Sequence, residues 1–170
     1  MDWIDIALLL LRLWAGVVII AHGVNHGRTL EGTARWFASK GFRSEGLNAR
    51  ISALNEIAIG VALIAGLLTS VAAAGLFATM FVAFWAIHRF AGFFNFHRPD
   101  EGYEYVATLA VVSLGLAMAG PGRFSVDEAL GIADDLDGWV GLAIIGGGLV
   151  VAALQLATFW RRPADERTGP

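Results

Sequence analysis

Residues 4–24 read IDIALLLLRLWAGVVIIAHGV. Within this run only Asp5 and Arg12 carry a formal charge, and its length is that of a helix able to cross a hydrocarbon core, which needs about 20 apolar residues. Four more runs of the same kind follow, at 51–68, 71–90, 103–119 and 139–160. Each is continuously apolar. Barrel strands would alternate apolar and polar residues over about ten positions, so helices are expected.

The whole composition agrees. The chain has 170 residues, 56% of them apolar, with a mean hydropathy of +0.63. Only 16% are charged, against roughly 25% in a typical water-soluble domain. The expected fold class is therefore all-α: a polytopic membrane helix bundle with the lipid bilayer as its solvent, and nothing points to nucleic acid. No basic residue precedes the first run, which opens Met1-Asp2-Trp3-Ile4-Asp5, so it is expected to be retained as a span. The chain has no cysteine, which excludes disulfides, thiolate metal sites and iron–sulfur ligation by its own side chains.

Basic residues predict the orientation. Arg28, Arg35, Lys40, Arg43 and Arg50 follow the first run, Arg89 and Arg98 follow the third, and Arg161, Arg162 and Arg167 follow the fifth. The alternate loops hold Arg123 alone, among Asp2, Asp5, Asp127, Glu128, Asp134, Asp135 and Asp137. An outer N-terminus and a cytoplasmic C-terminus are expected. Between the first two spans, residues 29–41 place Leu30, Ala34, Phe37 and Ala38 at helical spacing, which fits either a short interfacial helix or a solvated connector.

Polar residues inside such runs are costly and therefore informative. Arg12 lies about 12 Å from the outer end of the first run and Glu56 about 8 Å from the cytoplasmic end of the second, at 1.5 Å per residue. Their axial offset of roughly 10 Å makes an Arg12–Glu56 ion pair a candidate structural clamp. The other polar groups gather in the cytoplasmic half. His22, Asn25 and His26 close the first span, His88 ends the third, His97 lies in the following loop, and Glu104 and Tyr105 open the fourth. His22, Glu56, His88 and Glu104 are candidate proton-handling residues. A candidate quinone pocket adds Asn25, Tyr105 and the aromatics Phe81 and Trp85. With His26, the same histidines and carboxylates form a weaker candidate metal set, and a bis-His haem is weaker still. A purely structural role is the competing reading.

Small residues offer close helix contacts at Gly60, Gly66, Gly115, Gly141 and 146–148. Pro121 between two glycines stops the fourth run, and Ser125 before Asp127 and Glu128 reads as the N-cap of a short outer helix.

Taken together, LLLLRLWAGVVIIAHGVNH (8–26), NEIAIGVALIAGLLTSVAA (55–73), Gly102-Tyr103-Glu104-Tyr105 and GPGRFSVDEALG (120–131) resemble the DoxX family of small bacterial membrane proteins. The last stretch is the most specific. The resemblance implies a four-helix membrane domain over 1–131, to which residues 132–170 add an acidic linker, a fifth transmembrane helix and a short basic tail. It implies a bacterial inner membrane location. Relatives include a subunit of a thiosulfate:quinone oxidoreductase and members linked to membrane redox complexes, so the expected function is an accessory or anchoring subunit of a redox complex with quinone as the candidate cofactor. The family supplies no agreed catalytic residues. A non-catalytic scaffold, including a homo-oligomer, is the alternative from another class, and a small-solute transporter is a third.

Overall fold

The computed structural model describes residues 2–94 and 101–163, so His97, Arg98 and Arg167 lie outside the described residues. The chain forms α1 (Trp3–Arg28), α2 (Leu30–Ser39), α3 (Glu45–Ala65), α4 (Thr69–Ala86), α5 (Glu104–Ala119), α6 (Val126–Leu130), α7 (Ala133–Leu136) and α8 (Gly138–Phe159). Four of these, α1, α3, α4 and α8, are long and apolar enough to cross a membrane. α5 is equally apolar but has 16 residues, about 24 Å of helix, and still joins the two ends of the bundle. The fold is an all-α membrane helix bundle.

Several boundaries differ from the sequence expectation, each for a local reason. α1 continues a turn past residue 24, because Asn25, His26 and Arg28 keep helical geometry beyond the apolar run. α3 starts at Glu45 rather than 51, since its first turns hold the buried Asn48 and Ala49. The third run breaks at Ile87 (φ −127°, ψ −66°), so His88 sits on a separate 3-10 turn, His88–Phe90, rather than ending the span. Residues 30–39 do form a helix. It buries Phe37 and Thr33, while Leu30 and Ala38 of the expected stripe are exposed.

The helices approach through small residues. A Cβ on Gly60 would lie 2.6 Å from the Gly16 carbonyl oxygen, and one on Gly23 would lie 2.8 Å from that of Ala53, which draws α1 against α3. On α8, a Cβ at Gly148 would lie 2.8 Å from the Ala74 carbonyl oxygen of α4, and one at Gly141 would overlap the Ala117 carbonyl of α5. Gly115, Gly146 and Gly147 face open space and set no contact. Leu63, Leu76 and Leu116 are fully buried in the resulting core.

One end of the bundle is locked by polar contacts. Arg12 is fully buried and donates from Nη1 to the Leu63 carbonyl (3.1 Å) and from Nη2 to the Phe124 carbonyl (2.6 Å). A cation against the Leu63 carbonyl, which also accepts from the Gly66 amide at 3.2 Å, is favourable at the C-terminal end of α3 on both hydrogen-bonding and dipole grounds. Gly66 makes room for it, with a left-handed φ of 66° and the guanidinium where a Cβ would stand. Ser125 caps α6 as expected, its Oγ accepting from the Glu128 amide at 3.1 Å. Asp127 instead caps another helix: its carboxylate accepts from the amides of Leu68 (2.7 Å) and Thr69 (2.8 Å), at the start of α4.

Candidate functional site

At the opposite end, α1, α2, α3, the second half of α4 and the turn after it, the start of α5 and one residue of α8 enclose a cavity of about 570 Å³. His22 and His26 enter it from α1, one turn apart and on one face. Ser52 and Glu56 enter from α3 with the same spacing. His88 comes from the 3-10 turn, Tyr105 from the first turn of α5, and Gln155 from α8. Trp36, Phe37 and Met80 supply apolar wall. His22, Asn25 and Asn55 line the cavity and are also exposed, so it is open rather than sealed.

Two hydrogen-bonded groups face one another across this space. In the first, the Ser52 hydroxyl donates to Glu56 Oε1 at 2.6 Å, and His26 Nδ1 stands 3.3 Å from Glu56 Oε2 and 3.4 Å from Ser52 Oγ. The Glu56 side chain is 4% exposed and that of His26 20%. A carboxylate so deeply set is tolerated only with partners of this kind, because desolvation penalises its charged form. Oε2 nevertheless has no hydrogen bond of good geometry.

In the second, His88 Nδ1 lies 2.7 Å from the Glu101 carbonyl oxygen, and the Tyr105 hydroxyl lies 3.0 Å from His88 Nε2. A carbonyl can only accept, so Nδ1 carries a proton and the ring is held in a defined orientation. The His22 ring lies parallel to that of Tyr105, with centroids 6.0 Å apart and an interplanar angle of 7°.

The structure therefore brings together His22, Asn25, His26, Glu56, His88 and Tyr105. It leaves out three expected residues. Glu104 does not line the cavity; Glu101, one turn earlier in the chain, does. Phe81 and Trp85 stack on each other at 6.0 Å away from the cavity, and Trp85 lies beneath the Arg89 guanidinium at 4.1 Å. The aromatic walls come from α2 instead.

The Arg12–Glu56 ion pair does not form, because the two residues serve opposite ends of the bundle. The carboxylate acting on Arg12 is Asp127. Among the described residues no three His, Asp or Glu side chains converge as metal ligands, so the expected metal set is not assembled. Among the described residues no Lys or Arg lines the cavity.

Residues 7–89 match the protein-family model described as DoxX. The membrane helix bundle therefore contains a DoxX-like stretch over nearly half of its length. The matched DoxX stretch contains His22, His26, Ser52 and Glu56, and ends one residue past His88. Tyr105 and Gln155 complete the cavity from beyond it. No curated protein and no solved structure matches the chain.

Proposed function

We propose that this chain is a DoxX-family protein acting as an accessory or anchoring membrane subunit of a quinone-linked redox complex, and that its histidine-end cavity receives the quinone ring. The observation that carries this reading is the cavity's composition: apolar and aromatic walls, with two hydrogen-bonded proton-exchanging groups on facing sides. In this reading Glu56 with His26, and Tyr105 with His88, exchange hydrogen bonds and protons with the ring oxygens. His22 supports the ring alongside Tyr105. The chain has no cysteine to ligate an iron–sulfur cluster, and electrons are delivered or withdrawn by a partner subunit.

The same reading places residues 1–131 as a DoxX-like membrane domain and α8 as an added span. The protein sits in a bacterial inner membrane with its N-terminus outside and the cavity on the cytoplasmic side. Purification from native membranes in mild detergent, with mass spectrometry of co-purifying chains and solvent extraction of bound quinone, tests the proposal. A partner carrying flavin, haem or iron, together with retained quinone, is expected. A quinone-free homo-oligomer would overturn it in favour of a scaffold.

A further inference from the structure

Gly23 brings α1 so close to α3 that a Cβ there would stand 2.8 Å from the Ala53 carbonyl oxygen and 3.0 Å from the Glu56 Cβ. The Glu56 carboxylate is therefore tucked into the seam between the two helices, 4% exposed, with the more exposed His26 ring against it. The Ser52 hydroxyl donates to Glu56 Oε1 at 2.6 Å. Oε2 faces His26 Nδ1 at 3.3 Å, and the Ser52 oxygen lies 3.4 Å from the same nitrogen. Neither oxygen has a proton to offer Nδ1, since one belongs to a carboxylate and the other has given its hydrogen to Oε1. Nδ1 is thus the protonated nitrogen in the neutral ring as well as in the imidazolium, and Oε2, which accepts no aligned hydrogen bond, holds it by charge. Helix α2 braces the same residue: Trp36 and Phe37 flank the ring at 6.2 Å between centroids, and the Thr33 hydroxyl donates to the His26 carbonyl at 3.0 Å. What remains is Nε2, which has no hydrogen-bond partner among the described residues and belongs to a side chain that lines the cavity.

We infer that His26 meets the ligand through Nε2, and that Glu56, with Ser52 beside it, is a positioning residue that orients the imidazole rather than a ligand contact. This inference rests on the quinone reading above and assigns the atom that makes the contact on the α1–α3 side. A carboxylate that engages one ring nitrogen fixes both the orientation of the imidazole and the role of the other nitrogen. Nε2 then accepts from a ligand hydroxyl when the ring is neutral and donates to a ligand carbonyl when the ring is an imidazolium, so one atom serves either redox form. His22, one turn earlier on the same face, has no carboxylate partner among the described residues and stacks on Tyr105 instead. Of the two α1 imidazoles, His26 is the one whose ring is held for such a contact.

The test uses the full chain in detergent micelles, with nitrogen-15-labelled histidine and a decyl-tailed benzoquinone as the probe. NMR should show the His26 ring, identified by its loss in His26→Phe, protonated at Nδ1 before the probe is added. The probe should then shift the Nε2 resonance more than that of Nδ1. Affinity is measured across a cycle of Glu56→Gln, His26→Phe and the double variant. His26→Phe should weaken binding about ten-fold, the change that about 1.4 kcal/mol produces. Glu56→Gln should weaken it while His26 is present and have no further effect once His26 is gone, because a positioning residue acts only through the group it positions. Ser52→Ala should behave in the same way and takes the place of Glu56→Gln if that variant does not fold. Losses that add in the double variant would make Glu56 a ligand contact in its own right, and unchanged binding by His26→Phe would remove His26 from the site. Either result overturns the assignment and leaves the quinone site standing. A folded wild-type chain that does not bind the probe overturns the quinone reading, and the contact with it.

Discussion

The carboxylate of Asp127 holds the amide of Thr69 at 2.8 Å across 58 positions of sequence, and the amide of Leu68 at 2.7 Å beside it. Its own amide donates back to the Gly66 carbonyl at 2.9 Å. The start of α6 is thereby fastened over the turn between α3 and α4, with Arg12 beneath. Asp127→Ala removes a cap from α4 and the negative charge acting on a fully buried guanidinium. Leaving the buried Thr69 amide without its acceptor costs about 1–3 kcal/mol. A large fall in the thermal midpoint of the detergent-solubilised protein is expected, while Glu128→Ala, on an exposed residue of the same helix, should leave the midpoint nearly unchanged.

Because Arg12 and Glu56 bond to separate partners at separate ends, their contributions to stability should add. Arg12→Met and Glu56→Gln should each destabilise, and the double variant should equal their sum within about 0.5 kcal/mol. A double-mutant cycle in urea or by thermal melting measures this. A double variant much more stable than the sum would show that the two charges compensate one another.

The helices were legible because apolar run length is a local signal, and so was the gathering of histidines at one end, because depth follows from position along a helix. Rotation was not. α4 is apolar on all sides, so nothing in its sequence distinguishes the face bearing Phe81 and Trp85 from the face bearing Met80, which reaches the cavity. Glu101 enters the site through its backbone carbonyl, an atom every residue has. Asp127 looked like a first-turn acid of its own helix, and only the packing of α6 on the α3–α4 turn reveals that it caps a different one.

Close approach of α8 should likewise depend on particular glycines. Gly141→Ala would press a methyl group onto the Ala117 backbone carbonyl, which has no rotamer with which to yield. Overpacking of this kind costs about 1–3 kcal/mol. Gly147→Ala meets nothing within 4 Å and should be neutral or slightly stabilising, since alanine favours helix. Thermal melts of the two variants, with Gln155 accessibility to the cavity followed by ligand binding, should separate them. Equal midpoints would mean that α8 does not pack on α5 as described.

Charge and fold together make a topology prediction. Arg28, Arg35, Lys40, Arg43, Arg50 and Arg89 follow or flank the helix ends nearest the cavity, with Arg161 and Arg162 just past α8, while Arg123 stands at the Arg12 end among Asp5, Glu128, Asp134, Asp135 and Asp137. The Arg161 amide donates to the Gly41 carbonyl at 2.9 Å and the Arg43 amide to that of Phe159 at 2.7 Å, so the end of α8 and the loop after α2 lie on one side. The insertion machinery retains short basic loops in the cytoplasm, which predicts that the cavity end faces inside. Ser39 and Asp135 are exposed residues at opposite ends, and the cysteine-free chain gives a clean background for labelling. In intact cells an impermeant maleimide should label Asp135→Cys, and should label Ser39→Cys only after the membrane is opened. The reverse pattern would turn the protein over and move the cavity to the outer face, while labelling of both sites in intact cells would contradict the separation of the two ends by the bilayer.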